Sequence, residues 1–349
     1  MKTKQRKAIA LLSGGLDSTL AAKMIMQQGI YVEGINFFTG FCGEGGIQVP
    51  CRKENCPGEN INASFAAKQL GIKLNVVDVS EDYKQVVTNP KYGYGANLNP
   101  CLDCKIFMVR KTKEWLDTNG FDFIITGEVM GQRPKSQLKH MLPVVIRDSG
   151  VGDILVRPLC AKHLAPTLPE REGWINRELL ENCHGRGRKR QIELAKELGI
   201  DKYAQPSGGC CFLINQHYTK RLKDLWQARN SKDYTLDDIA LLKTGRHLRP
   251  KPNFKMIIGR NEQENLFLEN YRNKFTSLQS ISHNGPLALI NGTLIDAVDI
   301  DLASRILARY TSHLAGGIIQ IKLTTMAGKE TLFQIRPFPE NAIEGAWHV

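Results

Sequence analysis

A short apolar run, Lys7–Leu12, passes through Ser13-Gly14-Gly15 straight into a helical pattern from Leu16 to Gln28 that Gly29 closes. This opening constrains the chain more than any other feature, because it fixes a tight glycine turn at the carboxyl end of a strand and the amino end of a helix. Tyr31–Phe38 reads as a second strand, Asn62–Leu70 as a helix ended by Gly71, and Lys73–Val79 as a third strand. Leu102–Asp117 reads as a long amphipathic helix and Phe121–Thr126 as a further strand leading into Gly127. Strands alternating with helices imply βαβ units and a parallel sheet, whose ligands sit beyond the carboxyl ends of the strands. The expected class is α/β, a parallel-sheet domain followed by a smaller C-terminal α+β domain.

At 349 residues the chain has room for two or three domains. The expected division is a first domain over 1–215, a helical linker over 216–249 and a last domain over 250–349, with the pattern broken between Thr244 and Pro252 by Gly245, Pro250 and Pro252. In the last domain Lys255–Ile258, Leu287–Ile290, Ile318–Thr324 and Thr331–Ile335 read as strands and Asp301–Leu314 as a helix. Gly40–Asn60 and Ala161–Arg190 are long loops, a length usually tied to function. The composition, 42% hydrophobic and 23% charged, is that of a globular chain rather than a disordered one. No apolar stretch approaches the ~20 residues that span a bilayer, and the basic amino terminus lacks the long apolar region of a signal peptide. A cytoplasmic protein with no membrane association is expected. The net charge of +12 favours a polyanionic partner, since neutralising phosphates releases counterions.

Nine cysteines are too sparse for a disulfide scaffold, so metal binding or sulfur chemistry is the better expectation. Cys101 and Cys104 form a Cys-x-x-Cys pair at the start of the long helix, where the helix dipole favours a thiolate. Ser207-Gly208-Gly209-Cys210-Cys211-Phe212-Leu213 adds thiols in a glycine-rich loop, while Cys42, Cys51 and Cys56 are spaced loosely enough to be a zinc site or plain loop thiols. In Ser13-Gly14-Gly15-Leu16-Asp17-Ser18 the glycines let backbone N–H groups approach phosphates at a helix amino terminus. Ser13 and Ser18 offer hydroxyls to them, and Asp17 is suited to cap the helix or hold Mg2+. No lysine ends the loop, so this is not the nucleotide loop of G-x-x-x-x-G-K-[ST] type.

The serine–glycine segment resembles the PP-loop of ATP-pyrophosphatases, the adenine nucleotide α-hydrolase-like fold, whose members cleave ATP between the α and β phosphates. With Asn99-Pro100-Cys101-Leu102-Asp103-Cys104-Lys105 and the Gly-Gly-Cys-Cys-Phe segment, the motif order is similar to that of tRNA thiouridine synthetases. Cys104 and Cys211 align with the two active cysteines of tRNA 2-thiouridylases. Thr126-Gly127-Glu128-Val129-Met130-Gly131-Gln132, Ser136-Gln137 and Val156-Arg157-Pro158-Leu159 look closer to the 4-thiouridine synthetase core. The resemblance covers roughly residues 7–215. It implies catalytic roles for Asp17, Cys104 and Cys211, and an ATP site from Ser13, Gly14, Gly15, Asp17, Ser18, Phe37, Gly127 and Gln132.

Cys101 stands where many 2-thiouridylases have Asp. With Cys104 and Cys211 it makes a trio resembling that of thiolases that hold a [4Fe–4S] cluster by three cysteines, leaving one iron open to hydrosulfide. A persulfide relay between Cys104 and Cys211 is the competing mechanism. The implied reaction is adenylation of a uridine carbonyl oxygen followed by replacement of AMP by sulfur, with tRNA as partner and sulfide or a cysteine desulfurase as donor. A homodimer stays open. Neither the N-terminal RNA-binding extension nor the rhodanese domain of some 4-thiouridine synthetases is legible, so RNA is expected to be held elsewhere. Gly259-Arg260-Asn261-Glu262 resembles the RNA-binding module of NFACT proteins, and Arg186, Arg188, Lys189 and Arg190 form a separate basic run. Arg133, Lys135 and Lys139 are further cations near the glycine–glutamine motif. The rival readings are a PP-loop amide-forming ligase acting on a small molecule and a non-catalytic RNA-binding protein.

Overall fold

The computed structural model describes residues 5–41, 61–204, 211–312, 317–339 and 342–349, and the chain divides into two compact units, Met1–Asn215 and Gln216–Val349. Cys42, Cys51, Cys56 and Cys210 lie outside the described residues.

In the first unit, strands and helices alternate as β1 (Lys7–Leu11), α1 (Leu16–Met26), β2 (Tyr31–Phe38), α2 (Ile61–Leu70), β3 (Leu74–Asp78), α3 (Ser80–Thr88) and α4 (Cys101–Asn119). There follow β4 (Phe123–Thr126), α5 (Leu142–Ser149), the two-residue β5 (Leu155–Val156), α6 (Leu168–Arg171) and α7 (Lys189–Glu197). The strands form one sheet in the order β3-β2-β1-β4-β5, and every pairing is parallel. Because side chains alternate across a strand, Ala8, Ala10 and Leu12 face one layer of helices with Leu16, Leu20 and Ile25 of α1, and all of these are buried. β5 is too short to leave a periodic signature, and the sequence reading passes over it.

The chain leaves β1 toward β2 and β3 on one side, then returns to place β4 and β5 on the other. The order reverses between β1 and β4, and a crevice at the carboxyl ends of those strands is where such sheets bind ligands. Two glycines let backbone segments close on this point. Gly14, at φ +83°, lies so near α2 that a Cβ there would sit 2.2 Å from the carbonyl carbon of Asn62. Gly127, just after β4, abuts the first turn of α1, where a Cβ would sit 2.4 Å from the Ser18 nitrogen.

The second unit begins with α8 (Gln216–Arg229) and α9 (Leu236–Leu241). It continues through β6 (Arg246–Lys251), β7 (Phe254–Ile258), α10 (Glu262–Glu269), β8 (Thr276–Ser280), β9 (Leu287–Gly292), α11 (Ala297–Arg309), β10 (Ile319–Thr324) and β11 (Glu330–Ile335). Its antiparallel sheet has the order β11-β10-β8-β9-β7-β6, with Ala303, Ile306 and Leu307 of α11 packed on the face carrying Met256, Leu278, Ile290 and Ile321. The segment 216–249, read from sequence as a linker, is part of this unit: α8 buries Tyr218, Leu222, Leu225 and Trp226, and Thr235 caps α9. The break expected around Pro250 is an edge strand. Proline is tolerated there because β6 is outermost and its pairing with β7 shifts register between Leu248 and Lys251. β8, with the mixed sequence Thr-Ser-Leu-Gln-Ser, is a further strand that the sequence reading passes over. The last helix starts earlier than periodicity suggested, because the Asp296 side chain accepts a hydrogen bond from the Asp299 N–H and caps it.

The approach at Gly127 leaves no space for a methyl group against backbone. Gly127→Ala is therefore expected to destabilise the protein by ~1–3 kcal/mol, as overpacking does, read as a lower urea midpoint with an unchanged m-value.

Candidate active site

The site starts at the end of β1. Asn36 of β2 donates its side-chain amide to the Leu12 carbonyl (2.8 Å), fixing the strand end from which the serine–glycine loop departs. The Ser13 backbone N–H donates to Ser18 Oγ (3.3 Å), and the two serine hydroxyls lie 3.2 Å apart. The hydroxyls of Ser18 and Thr19 both donate to the Gly15 carbonyl, at 2.9 and 3.0 Å. α1 has Gly15 at its N-cap, with no side-chain cap bond from that residue, and a helix amino terminus of this kind favours an anion. Phe37 is buried in β2 opposite Val77.

Asp17, in the first turn of α1, accepts a hydrogen bond from Gln132 Nε2 (3.0 Å), which comes from the loop after β4. Its other oxygen, Oδ1, is buried without a hydrogen-bond partner among the described residues and faces Arg188 Nη2 at 3.8 Å. Burial raises the carboxyl above its ordinary value, against the opposing pull of Arg188, Gln132 and Arg133. An orphaned, desolvated carboxylate oxygen beside a phosphate-type loop suits a hard cation such as Mg2+.

The same loop reaches the thiols. Ser136, buried four residues beyond Gln132, accepts the Cys101 S–H (3.2 Å), while Gln137 folds the loop by accepting the Arg133 N–H through its side chain (3.1 Å) and the Gly131 N–H through its carbonyl (2.7 Å). Lys135 Nζ donates to the Tyr94 carbonyl (2.5 Å), so that cation is engaged in holding loop to loop. Asp103, between the paired cysteines, accepts the backbone N–H groups of Lys91 (2.8 Å) and Tyr92 (3.1 Å) and ties α4 to the segment preceding it. That segment grips the chain around Cys211: Leu98 N–H donates to the Leu213 carbonyl (3.2 Å), Asn97 Nδ2 to the Ile214 carbonyl (2.7 Å), and Cys211 Sγ lies 3.9 Å from Asn99 Oδ1. Cys211 is thus brought, across more than a hundred residues of sequence, to the amino end of the helix that bears Cys101 and Cys104.

A [4Fe–4S] cluster requires three convergent thiolates. Among the described residues no three His, Cys, Asp or Glu side chains are grouped to hold a metal, and the Cys101 thiol is turned to Ser136. The trio Cys101, Cys104 and Cys211 does not fit such a cluster. Cys160 and Cys183 are buried, and burial pushes each thiol up to about 11, which leaves them inert at neutral pH.

Beneath the site lies a charge cluster that the sequence motifs contained without revealing. Glu128 accepts Arg157 Nε (2.9 Å) and Thr126 Oγ1 (3.1 Å), with Lys105 Nζ at 3.8 Å, and both Glu128 and Arg157 side chains are 2% exposed. Burial alone would raise the carboxyl, but Lys105 and Arg157 outweigh it and hold it below the usual range. Lys105 directly follows Cys104, so this ion cluster joins the thiol helix to the end of β4 and to β5.

The basic run divides by role. Arg190 is paired with Glu181 (2.6 Å) and Glu197 (2.7 Å). Arg188 points to the nucleotide loop, and Arg186 and Lys189 are exposed. Arg260, in the second unit, is held by the nearly buried Glu264, the N3 residue of α10, through both its backbone N–H (2.8 Å) and its guanidinium. It braces the turn after β7, a structural task the motif match did not disclose.

A parallel sheet with a serine–glycine phosphate loop at its switch point defines a nucleotide-binding α/β domain of PP-loop type. Residues 6–143 match the family model for the tRNA methyl transferase HUP domain, and residues 245–348 match that for the NFACT protein RNA binding domain. The first unit is thus similar to the tRNA methyl transferase HUP domain over residues 6–143 and the second to the NFACT protein RNA binding domain over residues 245–348, in line with the resemblances read from the sequence. The tRNA-specific 2-thiouridylase MnmA of Syntrophotalea carbinolica is 34% identical over 134 residues, covering 36% of this chain and 36% of that protein. MnmA 3 of Phocaeicola vulgatus is 30% identical over 135 residues, covering 36% of this chain and 34% of that protein. The chain thus spans about a third of the length of these relatives. A solved 4-thiouridine synthetase–RNA complex with bound ATP superposes with a TM-score of 0.36 at 18% identity, covering 68% of this chain and 52% of that one. Among the described residues no helix is long and apolar enough to cross a membrane.

Two consequences can be measured. Removing the Glu128 charge leaves Arg157 buried without its counter-ion, so Glu128→Gln is expected to cost ~3–5 kcal/mol in equilibrium unfolding. Because the folded state raises the Asp17 pKa, the native protein binds the extra proton, and stability falls as pH rises through the folded value. Asp17→Asn should therefore unfold at higher denaturant than the parent at neutral pH, and that advantage should vanish below the ordinary carboxylate value of 3.8.

Proposed function

We propose that this chain is an ATP-dependent tRNA uridine sulfurtransferase. The observation that carries this reading is the loop after β4, which fastens Asp17 of the phosphate loop through Gln132 and Cys101 of the thiol helix through Ser136. Nucleotide chemistry and sulfur chemistry thereby share one support, and the matched relatives are tRNA-specific 2-thiouridylases.

ATP lies with its phosphates over Ser13, Gly14, Gly15 and Ser18 at the α1 amino terminus, and its adenosine toward Phe37 and Gly127. Asp17 is the residue that would hold Mg2+, which would offset phosphate charge. The uridine carbonyl oxygen attacks the α-phosphorus and pyrophosphate leaves, giving an adenylated base. The α1 N–H groups and serine hydroxyls stabilise the charge that develops on the phosphates. Sulfur arrives as a persulfide on one of Cys104 and Cys211. Its terminal sulfur attacks the activated carbon and expels AMP, and the other cysteine's thiolate then attacks the protein-side sulfur. Thiouridine is released, a Cys104–Cys211 disulfide remains, and a dithiol reductant resets it. In this scheme Cys101, bonded to Ser136, orients the helix start rather than carrying sulfur. The NFACT-type unit, with Arg186 and Lys189, supplies the tRNA contacts. The persulfide scheme calls for a cysteine desulfurase as donor.

Mass spectrometry of tRNA nucleosides from a strain lacking the gene tests this reading. One thiouridine should disappear, its identity naming the ring position, and return on complementation with the parent but not with Cys104→Ser, Cys211→Ser or Asp17→Ala. An unchanged nucleoside profile overturns the assignment.

A further inference from the structure

We propose that Arg188 binds the triphosphate of ATP at the nucleotide loop, and that it is not an RNA contact. The proposal extends the ATP half of the function above and rests on it.

The segment before α7 is docked against the loop after β4. Gly185 N–H donates to the Met130 carbonyl (2.8 Å), and Met130 and His184 form a parallel bridge. A Cβ at Gly131 would sit 3.3 Å from His184 Nε2 and 3.4 Å from the Gly185 nitrogen, so the two backbones meet closely. The start of α7 is fixed on its other side by Arg190, whose guanidinium is spent on Glu181 and Glu197. Between these two anchors, Arg188 turns toward Asp17 of α1.

What it meets there is incomplete. Its Nη2 lies 3.8 Å from Asp17 Oδ1, beyond hydrogen-bond reach, and both Arg188 Nε and Asp17 Oδ1 are buried with no hydrogen-bond partner among the described residues. Leaving a buried charged donor and acceptor unmade is costly. A phosphate resolves both halves of the mismatch. Its oxygens accept the guanidinium fork in paired, charge-assisted bonds, and its accompanying cation takes the carboxylate. Asp17 lies in the first turn of α1, whose amino terminus favours an anion. A tRNA phosphodiester has no such fit, since the unmade groups are beneath the surface, whereas neighbouring Arg186 is exposed. The class of ligand is a nucleoside triphosphate, held through its pyrophosphate part.

Equilibrium binding of MgATP, AMP and tRNA to the full chain tests the assignment. Arg188→Ala should weaken MgATP by ~10-fold or more, the loss of one charge-assisted contact, with AMP and tRNA affinities within about twofold of the parent. Equal MgATP affinity in parent and variant overturns the proposal. So does a fall in tRNA affinity with MgATP binding intact, which would give Arg188 to RNA. If the alanine variant does not fold, Arg188→Gln decides through the rise in Tm on adding MgATP: a smaller rise than the parent's supports the clamp, and an equal one overturns it. A protein whose MgATP binding depends on Arg188 but whose loss leaves tRNA nucleosides unchanged keeps this inference and loses the thiolation reading.

Discussion

A carboxylate buried where three segments meet sets the terms for the rest of the first unit. Glu128 follows β4, Arg157 follows β5 and Lys105 is the fifth residue of α4, so one charge fixes a strand end, the outermost strand and the thiol helix against each other. Such a cluster contributes little net stability compared with an apolar core of the same shape. Its physical value is that each member is costly to leave alone, so the three segments have one arrangement rather than several. The loop over Gly127–Gln137 springs from this fixed point, and its contacts to α1 and α4 inherit the precision.

The distribution of hydrogen bonds follows from that placement. Gln132 and Ser136 sit on one short loop and look in different directions, one to a carboxylate, the other to a thiol. A second bracing system, from Asp103 to the backbone of Lys91 and Tyr92 and from Asn97 to the Ile214 carbonyl, brings the chain around Cys211 to the same helix. Side chains carry these ties, because the segments involved are loops whose backbone groups have no sheet partner of their own.

Much of the architecture was legible in the residue order. The strand, the serine–glycine turn and the helix from Leu16 carry their periodicity and punctuation locally, and so do β2, β3, α4 and four strands of the second unit. β5 and β8 were not legible, one too short and the other too polar to alternate, and β6 hid behind Pro250, whose meaning depends on being outermost. At the site, Asp17 and the paired cysteines announced themselves by spacing. The jobs of Ser136, Arg157 and Arg188 did not, since each is defined by a partner distant in sequence. The basic run is the clearest case: neighbouring arginines in one string face solvent, a nucleotide loop and a pair of glutamates. Composition treats them alike, and only the fold separates them.

The outer border of the second sheet carries a practical implication. Leu248 of β6 bridges to His348, and the Val349 N–H donates to the His247 carbonyl (3.1 Å), so the segment at 348–349 shields polar groups that would otherwise sit on an open strand. Unshielded strands of this sort recruit copies of themselves. A substitution that displaces the 348–349 segment, such as His348→Pro, would uncover that edge and favour self-association.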